Sequence, residues 1–354
     1  MAENLERPGR SSLSDWRKEG TRRISKRWVL KGKSAQLALL CVLIAALSGG
    51  CARETAVEEP QTEVTETEKA AFLLKLASTV LPESSEYQDM ASLKSSVEHA
   101  SQDGIDLQIY PGSQLGEEDV IIEGMRTGTI EMALLPLNSL EEVCPQLGEL
   151  YTPFADLFTA EELEDYGEGA VAEFLSQIRE ETGIRVLALV VKGKRNIWTK
   201  KVVGSVDGLN GLRLYVMAAQ NYQDIFTGLG IKPVDVRSSQ IFDGLEADIV
   251  DGAELEMDTV VQYELYNSCK YCLESEHGLS IEAFLISEEI YQQMDEELRV
   301  DLETAVKDEA TIMQERIRTQ EEQQKELLKE AGVIFYSLPG LRQAAAQLRE
   351  QETE

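Results

Sequence analysis

The sequence predicts an α/β fold built in two halves that share one over-long helix. Three observations carry this. From residue 72, short strand-like runs alternate with helical segments, and helices that separate strands pack on the faces of a sheet. After residue 194 the alternation starts again, and 354 residues suffice for two domains of ordinary size. From Ser287 to Gly332 an apolar stripe continues at helical spacing for longer than one domain is wide.

The chain begins with a different character. Residues 1–36 hold ten Lys/Arg against four Asp/Glu and lead into "LALLCVLIAAL", Leu37 to Leu47. Eleven apolar residues are too few to span a bilayer and suit a signal-peptide core. "SGGC" follows. Small residues before Cys51 resemble a bacterial lipoprotein box, in which the cysteine is lipidated and becomes the new N-terminus; the usual Leu three places earlier is Ser48 here. The basic region is unusually long, so a start codon further downstream is an open reading. Residues 52–71, rich in Glu and Thr, lack the large apolar groups a core needs and are expected to be a solvated tether.

The folded body starts with strands expected at 72–77, 106–111, 130–136 and 186–193, each a short apolar run. Between them, helices are expected at 87–101, 116–127 and 160–182. Gly128 and Gly183 end the second and third. The restart brings strands "NIWTKK" (196–201) and "LRLYVM" (212–217), a helix near 219–229, a strand "IKPVDV" (231–236), a helix over 239–246 and a strand "ADIVDG" (247–252). Strands at 269–275 and 281–287 follow. Ser287 is a good N-cap, with Glu288 and Glu289 in the favourable first turn. Ile290, Met294, Leu298, Leu302, Val306 and Ala310 then repeat every four residues, and the helix is expected to run to Gly332. Its length of roughly 60 Å, at about 1.5 Å per residue, makes it a strut across both halves. "VIFY" (333–336) returns as an edge strand, and the terminal "REQETE" is expected to fray.

Net charge is −30, and residues 52–354 carry 24 Lys/Arg against 60 Asp/Glu. A body that acidic repels phosphate backbones, so nucleic acid is not an expected partner. The body holds three cysteines, Cys144, Cys269 and Cys272, and an odd count is no disulfide framework. Cys269 and Cys272 have the spacing of a redox pair, but no helix start follows them to lower a thiol pKa. His99 and His277 each lack a partner motif. Glu254, Glu256 and Asp258 lack the spacing of a calcium loop and read as a solvated face or cleft rim. No catalytic set, metal site or cofactor motif is expected, and the chain is not read as an enzyme.

A set of ordered segments then carries a resemblance. "YPGSQLGEEDVIIEGMRTGTIEMALL" (110–135), "LYTPFADLF" (150–158), "GKRNIWTKKVVGSVDGLNGLRLYV" (193–216), "LGIKPVDVRSSQIFDGLEADIVDGAELE" (229–256) and "CKYCLESEH" (269–277) resemble blocks of the solute-binding proteins of TRAP transporters, the DctP type. The resemblance covers roughly 72–338. It implies a periplasmic-binding-protein-like clamp of type II, with lobe I at 72–192 plus 281–320 and lobe II at 193–280 plus 321–345. It further implies a monomeric extracytoplasmic receptor, lipid-anchored on the outer face of the membrane, that captures a small molecule and passes it to a TRAP-type permease.

The resemblance also marks a departure. Members of the family hold a ligand carboxylate with an Arg ending a Gly-Leu-Lys-x-Arg run. Here the run is Gly211-Leu212-Arg213-Leu214-Tyr215, so that Arg is replaced by Tyr215. The family's Asn in Asp-Gly-x-Glu-Asn falls on Leu255, while Arg195 matches an upstream Arg that assists in some members. The ligand set implied is Arg195 as main cation, Phe154 and Tyr215 against the ligand body, Leu255, Glu254, Asn138, and Arg213 as a substitute anchor offset by about 7 Å along the strand. Such a pocket suits an organic monoacid better than a dicarboxylate. Three other readings remain: a diverged receptor serving a sensor or another transporter, an extracellular thiol oxidoreductase using Cys269 and Cys272, and a coiled-coil scaffold built on the long helix.

Overall fold

The structure, a computed structural model, describes residues 72–234 and 240–352. The leader, Cys51 and the tether at 52–71 lie outside the described residues.

The first half runs β1 (Phe72–Ser78), α1 (Ser85–Ala100), β2 (Ile105–Tyr110), α2 (Glu118–Arg126), β3 (Met132–Pro136), α3 (Leu147–Leu150), α4 (Ala160–Glu164), α5 (Gly169–Thr182) and β4 (Ile184–Lys194). The second runs β5 (Asn196–Thr199), β6 (Arg213–Tyr215), α6 (Gln220–Gly228), β7 (Lys232–Pro233), α7 (Ile241–Glu246), β8 (Gly252–Leu255), α8 (Met257–Gln262) and β9 (Tyr271–Leu273). Then come β10 (Leu279–Ser287), α9 (Glu288–Gln293), α10 (Glu296–Glu330), β11 (Ile334–Tyr336) and α11 (Leu341–Glu352).

These elements form two sheets, one per lobe of a type II clamp. The first has the order β2-β1-β3-β10-β4, the second β11-β9-β5-β8-β6-β7. In each, a parallel set is closed by an antiparallel strand from the other end of the segment: β10 pairs antiparallel with β3 and β4, and β5 with β8 and β9. The chain therefore crosses between sheets twice through short links, β4 to β5 and β9 to β10. A one-residue link, Arg195, makes the first crossing. The links are themselves paired, since the Arg195 N–H donates to the Gly278 carbonyl at 2.9 Å.

Burial explains why these runs are strands. Met132 to Leu135 are fully buried, as a strand covered on both faces must be. One face of the first sheet packs on α1 and on α10 through Leu302, Val306, Ala310 and Met313. Farther along, Leu328 of the same helix sits in the core of the second sheet with Trp198 and Val250. α10 has 35 residues, or about 52 Å at 1.5 Å per residue, and so bridges both cores as a strut. A third apolar cluster, from Ala133 and Leu189 to Leu214 and Phe226, continues beneath both sheets.

Several expected elements differ. The long helix does not start at Ser287. α9 ends at Gln293, Met294 is extended, and Asp295 starts α10 by accepting from the Leu298 N–H at 2.9 Å, while the Ser287 side chain makes no capping bond. Asp followed by two Glu is the stronger start signal, and the apolar stripe crosses the break because both helices bury the same face. The helix expected over 160–182 is two, α4 and α5; a capping box of Thr159 and Glu162 starts the first, and Gly169, at φ +69°, lies at the second's start. Residues 247–251 turn instead of extending. Asp248 is left-handed, and the Ile249 N–H returns to Gly244, so the strand starts only at Gly252. Residues 349–352 of the terminal segment continue α11, which Leu341 and Ala345 anchor in the shared core, and 353–354 lie outside the described residues.

Asp295→Ala is expected to remove the α10 cap and lower stability by about 1 kcal/mol. A reduced urea midpoint at unchanged m checks this, and an unchanged midpoint contradicts it.

Candidate functional site

The lobes enclose a cleft of about 2140 Å³. Its walls come from both. From the first lobe come α1 (Glu86), α2 (Glu118), the turn after β3 (Asn138), β4 (Lys192) and β10 (Glu282). From the second come the end of β6 (Tyr215, Met217), the end of β8 (Leu255, Glu256) and α8 (Thr259). Strand ends open onto the crevice, the usual place for a ligand in open α/β sheets.

At the floor lies a buried ionic cluster. Arg195 stands in the β4–β5 link and is 6% exposed; Glu254 on β8 is fully buried. Their contact is a fork: Nε donates to Oε2 at 2.7 Å, and one terminal nitrogen donates to Oε1 and to the Glu254 carbonyl, both at 2.9 Å. The other terminal nitrogen donates to Glu256 at 3.3 Å and to the Ser280 hydroxyl at 3.4 Å. Glu254 also accepts from the Met217 N–H at 2.6 Å. Burial opposes charge on Glu254, but Arg195 outweighs it and holds the carboxyl below its usual range. The bidentate geometry fixes the guanidinium in one plane, which a lysine would not do.

His277 completes the cluster from the second link. Its Nε2 lies 3.0 Å from Glu254 Oε2, and its Nδ1 lies 2.8 Å from the Ser275 hydroxyl. Phe154, Tyr222 and Phe226 surround the ring at centroid distances of 5.9, 5.6 and 5.1 Å. Burial lowers the His277 pKa, so the imidazole is neutral at pH 7. The link passes close under Tyr222: a Cβ at Gly278 would meet its hydroxyl at 1.9 Å.

A second cluster lies on the cleft wall. Lys192 Nζ is 2.9 Å from Glu86, 3.7 Å from Glu282 and 4.0 Å from Asp258. Burial would lower the lysine, but the four surrounding carboxylates, Glu256 included, raise it. The Thr259 hydroxyl donates to Glu256.

The structure brings together Arg195, Tyr215, Leu255 and Asn138, all lining the cleft, with Glu254 directly beneath them. It does not bring Arg213 or Phe154 to the cleft wall. Arg213 is engaged by Asp251, with Nε at 3.0 Å and a terminal nitrogen at 2.7 Å, so it is no substitute anchor. Phe154 packs behind the wall on His277, and its φ of +63° turns it inward. Arg195 borders the cleft but is saturated by carboxylates, not a free cation. Glu254 and Glu256 are not a solvated rim; they are buried counter-ions. His277 has a partner after all, 23 residues away in sequence. Cys269 and Cys272 are buried free thiols, and burial pushes Cys269 up to about 12, away from the reactive range.

Comparison with known proteins follows from this geometry. The family model of the bacterial extracellular solute-binding proteins, family 7 (DctP), matches residues 76–352. An uncharacterized Haemophilus influenzae protein is 31% identical over 215 residues, 60% of this chain and 65% of that protein, so the chain matches just under two thirds of its length. The sialic acid-binding periplasmic protein SiaP of Vibrio cholerae is 23% identical over 285 residues, covering 79% of this chain and 88% of that one. A crystal structure of a TRAP periplasmic solute-binding protein from Haemophilus influenzae with bound L-gulonate superposes with a TM-score of 0.70 at 25% identity, covering 79% of this chain and 92% of that one.

Glu254→Ala is expected to leave Arg195 charged and buried, and to cost about 3–5 kcal/mol in urea unfolding. Adding Arg195→Met to it should recover much of that loss. A single variant within about 1 kcal/mol of wild type would show that the pair does not matter to the fold.

Proposed function

Because the chain belongs to bacterial extracellular solute-binding protein family 7, the DctP type, we propose that it captures a small solute between its lobes and hands it to a TRAP-type permease. The observation that carries this reading is the cleft. It is lined from both lobes and crossed beneath by two short links and one shared helix. Its 2140 Å³ exceeds the roughly 300–1,000 Å³ of a ligand pocket, so a small solute leaves much of it to water unless the lobes approach. Closure then removes the solute from water, and the difference in affinity between open and closed forms sets their populations. The moving bodies are 72–192 with 281–320, and 193–280 with 321–345. The buried Arg195–Glu254–His277 cluster lies where the links cross, and α10 passes beside the first link, where the Gln314 amide pairs with the Val191 backbone.

Arg195, Tyr215, Leu255 and Asn138 are the proposed contacts, with Glu254 supporting Arg195 from below. The monoacid expected from the sequence needed Arg195 as a free cation. Glu254 and Glu256 already occupy its donors, and that support is lost. We further propose that the receptor works as a monomer, anchored outside the membrane through a lipid on Cys51, with 52–71 as its tether.

Scattering from the purified protein is expected to show a smaller radius of gyration once a solute from a thermal-shift screen saturates it; an unchanged radius at saturation would overturn the clamp. Expression with a labelled fatty acid should label the chain, and Cys51→Ala should abolish the label. A soluble, unlabelled wild type would remove the anchor from the proposal.

A further inference from the structure

The charge of the cleft is opposite to what an acid requires. Ten carboxylates line it against three cations, Arg126, Lys192 and Arg195. The whole chain carries 64 Asp/Glu against 34 Lys/Arg, so the imbalance in the cleft is stronger than in the protein at large. Two of the three cations are spent. Arg195 is forked onto Glu254 and bonded to Glu256, and Lys192 is bonded to Glu86 at 2.9 Å.

Glu282 is paired by charge alone. It is 4% exposed, lines the cleft from β10, and accepts no hydrogen bond among the described residues. Its one ion pair is Lys192 at 3.7 Å, a lysine that Glu86 holds more closely. Burial, with the charges of Glu86, Glu118 and Glu256 added, raises its carboxyl to about 7 against the pull of Lys192. A buried carboxylate short of donors is costly unless a cation arrives to pair with it. Glu118, on α2 of the same lobe, is also raised, first by burial, and its hydrogen-bond partner among the described residues is the Ser139 hydroxyl. Tyr215 lines the cleft from the other lobe. An aromatic ring attracts a cation over its face and offers no charge to an anion.

We infer that the solute taken by this cleft is a cation of the organic-amine class, with Glu282 and Glu118 as its anchors and Tyr215 against its body. The inference rests on the proposed capture function and names its ligand chemistry. When the ammonium enters, its N–H groups donate to Glu282, and the proton that Glu282 holds below neutral pH leaves to the buffer.

The test is calorimetric titration of the whole chain with putrescine, methylamine and ethanolamine, and in parallel with succinate, pyruvate and D-glucuronate. At least one amine should bind. Glu282→Gln and Glu118→Gln should each weaken it about tenfold or more, the worth of a hydrogen bond to a charged group. Arg213→Ala, off the cleft, should leave its affinity unchanged. At about pH 6, amine binding should release a proton in wild type and not in Glu282→Gln. An acid that binds while no amine does would leave solute capture standing and overturn the amine inference; binding of neither class would count against both. A readout without ligand guards against misfolding. Removing an uncompensated charge, Glu282→Gln should raise the melting temperature above pH 7 and lose that advantage as the wild-type carboxyl takes up its proton at lower pH. A Glu282→Gln protein less stable than wild type above pH 7 would mark Glu282 as structural and overturn the inference.

Discussion

The pairing of Arg195 with Glu254 is the constraint on which the rest of the molecule depends. It sits where the chain passes between lobes, and it joins a residue of one link to a residue of the second lobe's sheet. Both groups are buried and neither charge is tolerable there alone, so each holds the other in place. The backbone follows. The Glu254 carboxylate also fixes Met217 at the end of β6, the strand that presents Tyr215, and His277 in the other link. One carboxylate thus ties both crossings to the wall of the cleft.

That arrangement changes what the cleft offers a ligand. An arginine bordering a binding cleft invites an acid, but a guanidinium already forked onto one carboxylate and touching a second has little left to give. Lys192 is in the same position on the opposite wall, among Glu86, Glu282 and Asp258. The carboxylates in excess of these two cations face the space between the lobes. A cleft of this charge focuses cations and repels anions before contact is made.

The long helix answers a different mechanical need. Beyond the one-residue and few-residue crossings, the lobes also touch between α3 and α6, where the Asn221 amide donates to the Gly148 carbonyl at 2.6 Å. α10 places Val306 and Met313 in the first core and Leu328 in the second, on one continuous rod. Its break from α9 at Met294 and Asp295 falls within the first lobe, so the rod that spans the lobes is uninterrupted.

The sequence by itself determined the alternation of strands and helices, the restart after residue 194 and the shared long helix, because these are written in local periodicity. Strands such as 72–77 and 186–193 were legible because buried strands are continuous apolar runs. Boundaries set by competing caps, at Asp295 and at Thr159, were less so, since the apolar stripe runs past them. Only the tertiary structure decided that Arg195 is engaged, that Arg213 belongs to Asp251, that Phe154 packs behind the wall, and that His277 has a partner. The physical reason common to all four is that each is placed by a partner distant in sequence. A charge is defined by its counter-ion, and Arg195 meets Glu254 across 59 residues and Lys192 meets Glu86 across 106. Those distances in sequence carry no periodic signal, and they close only when two sheets have folded against one hinge.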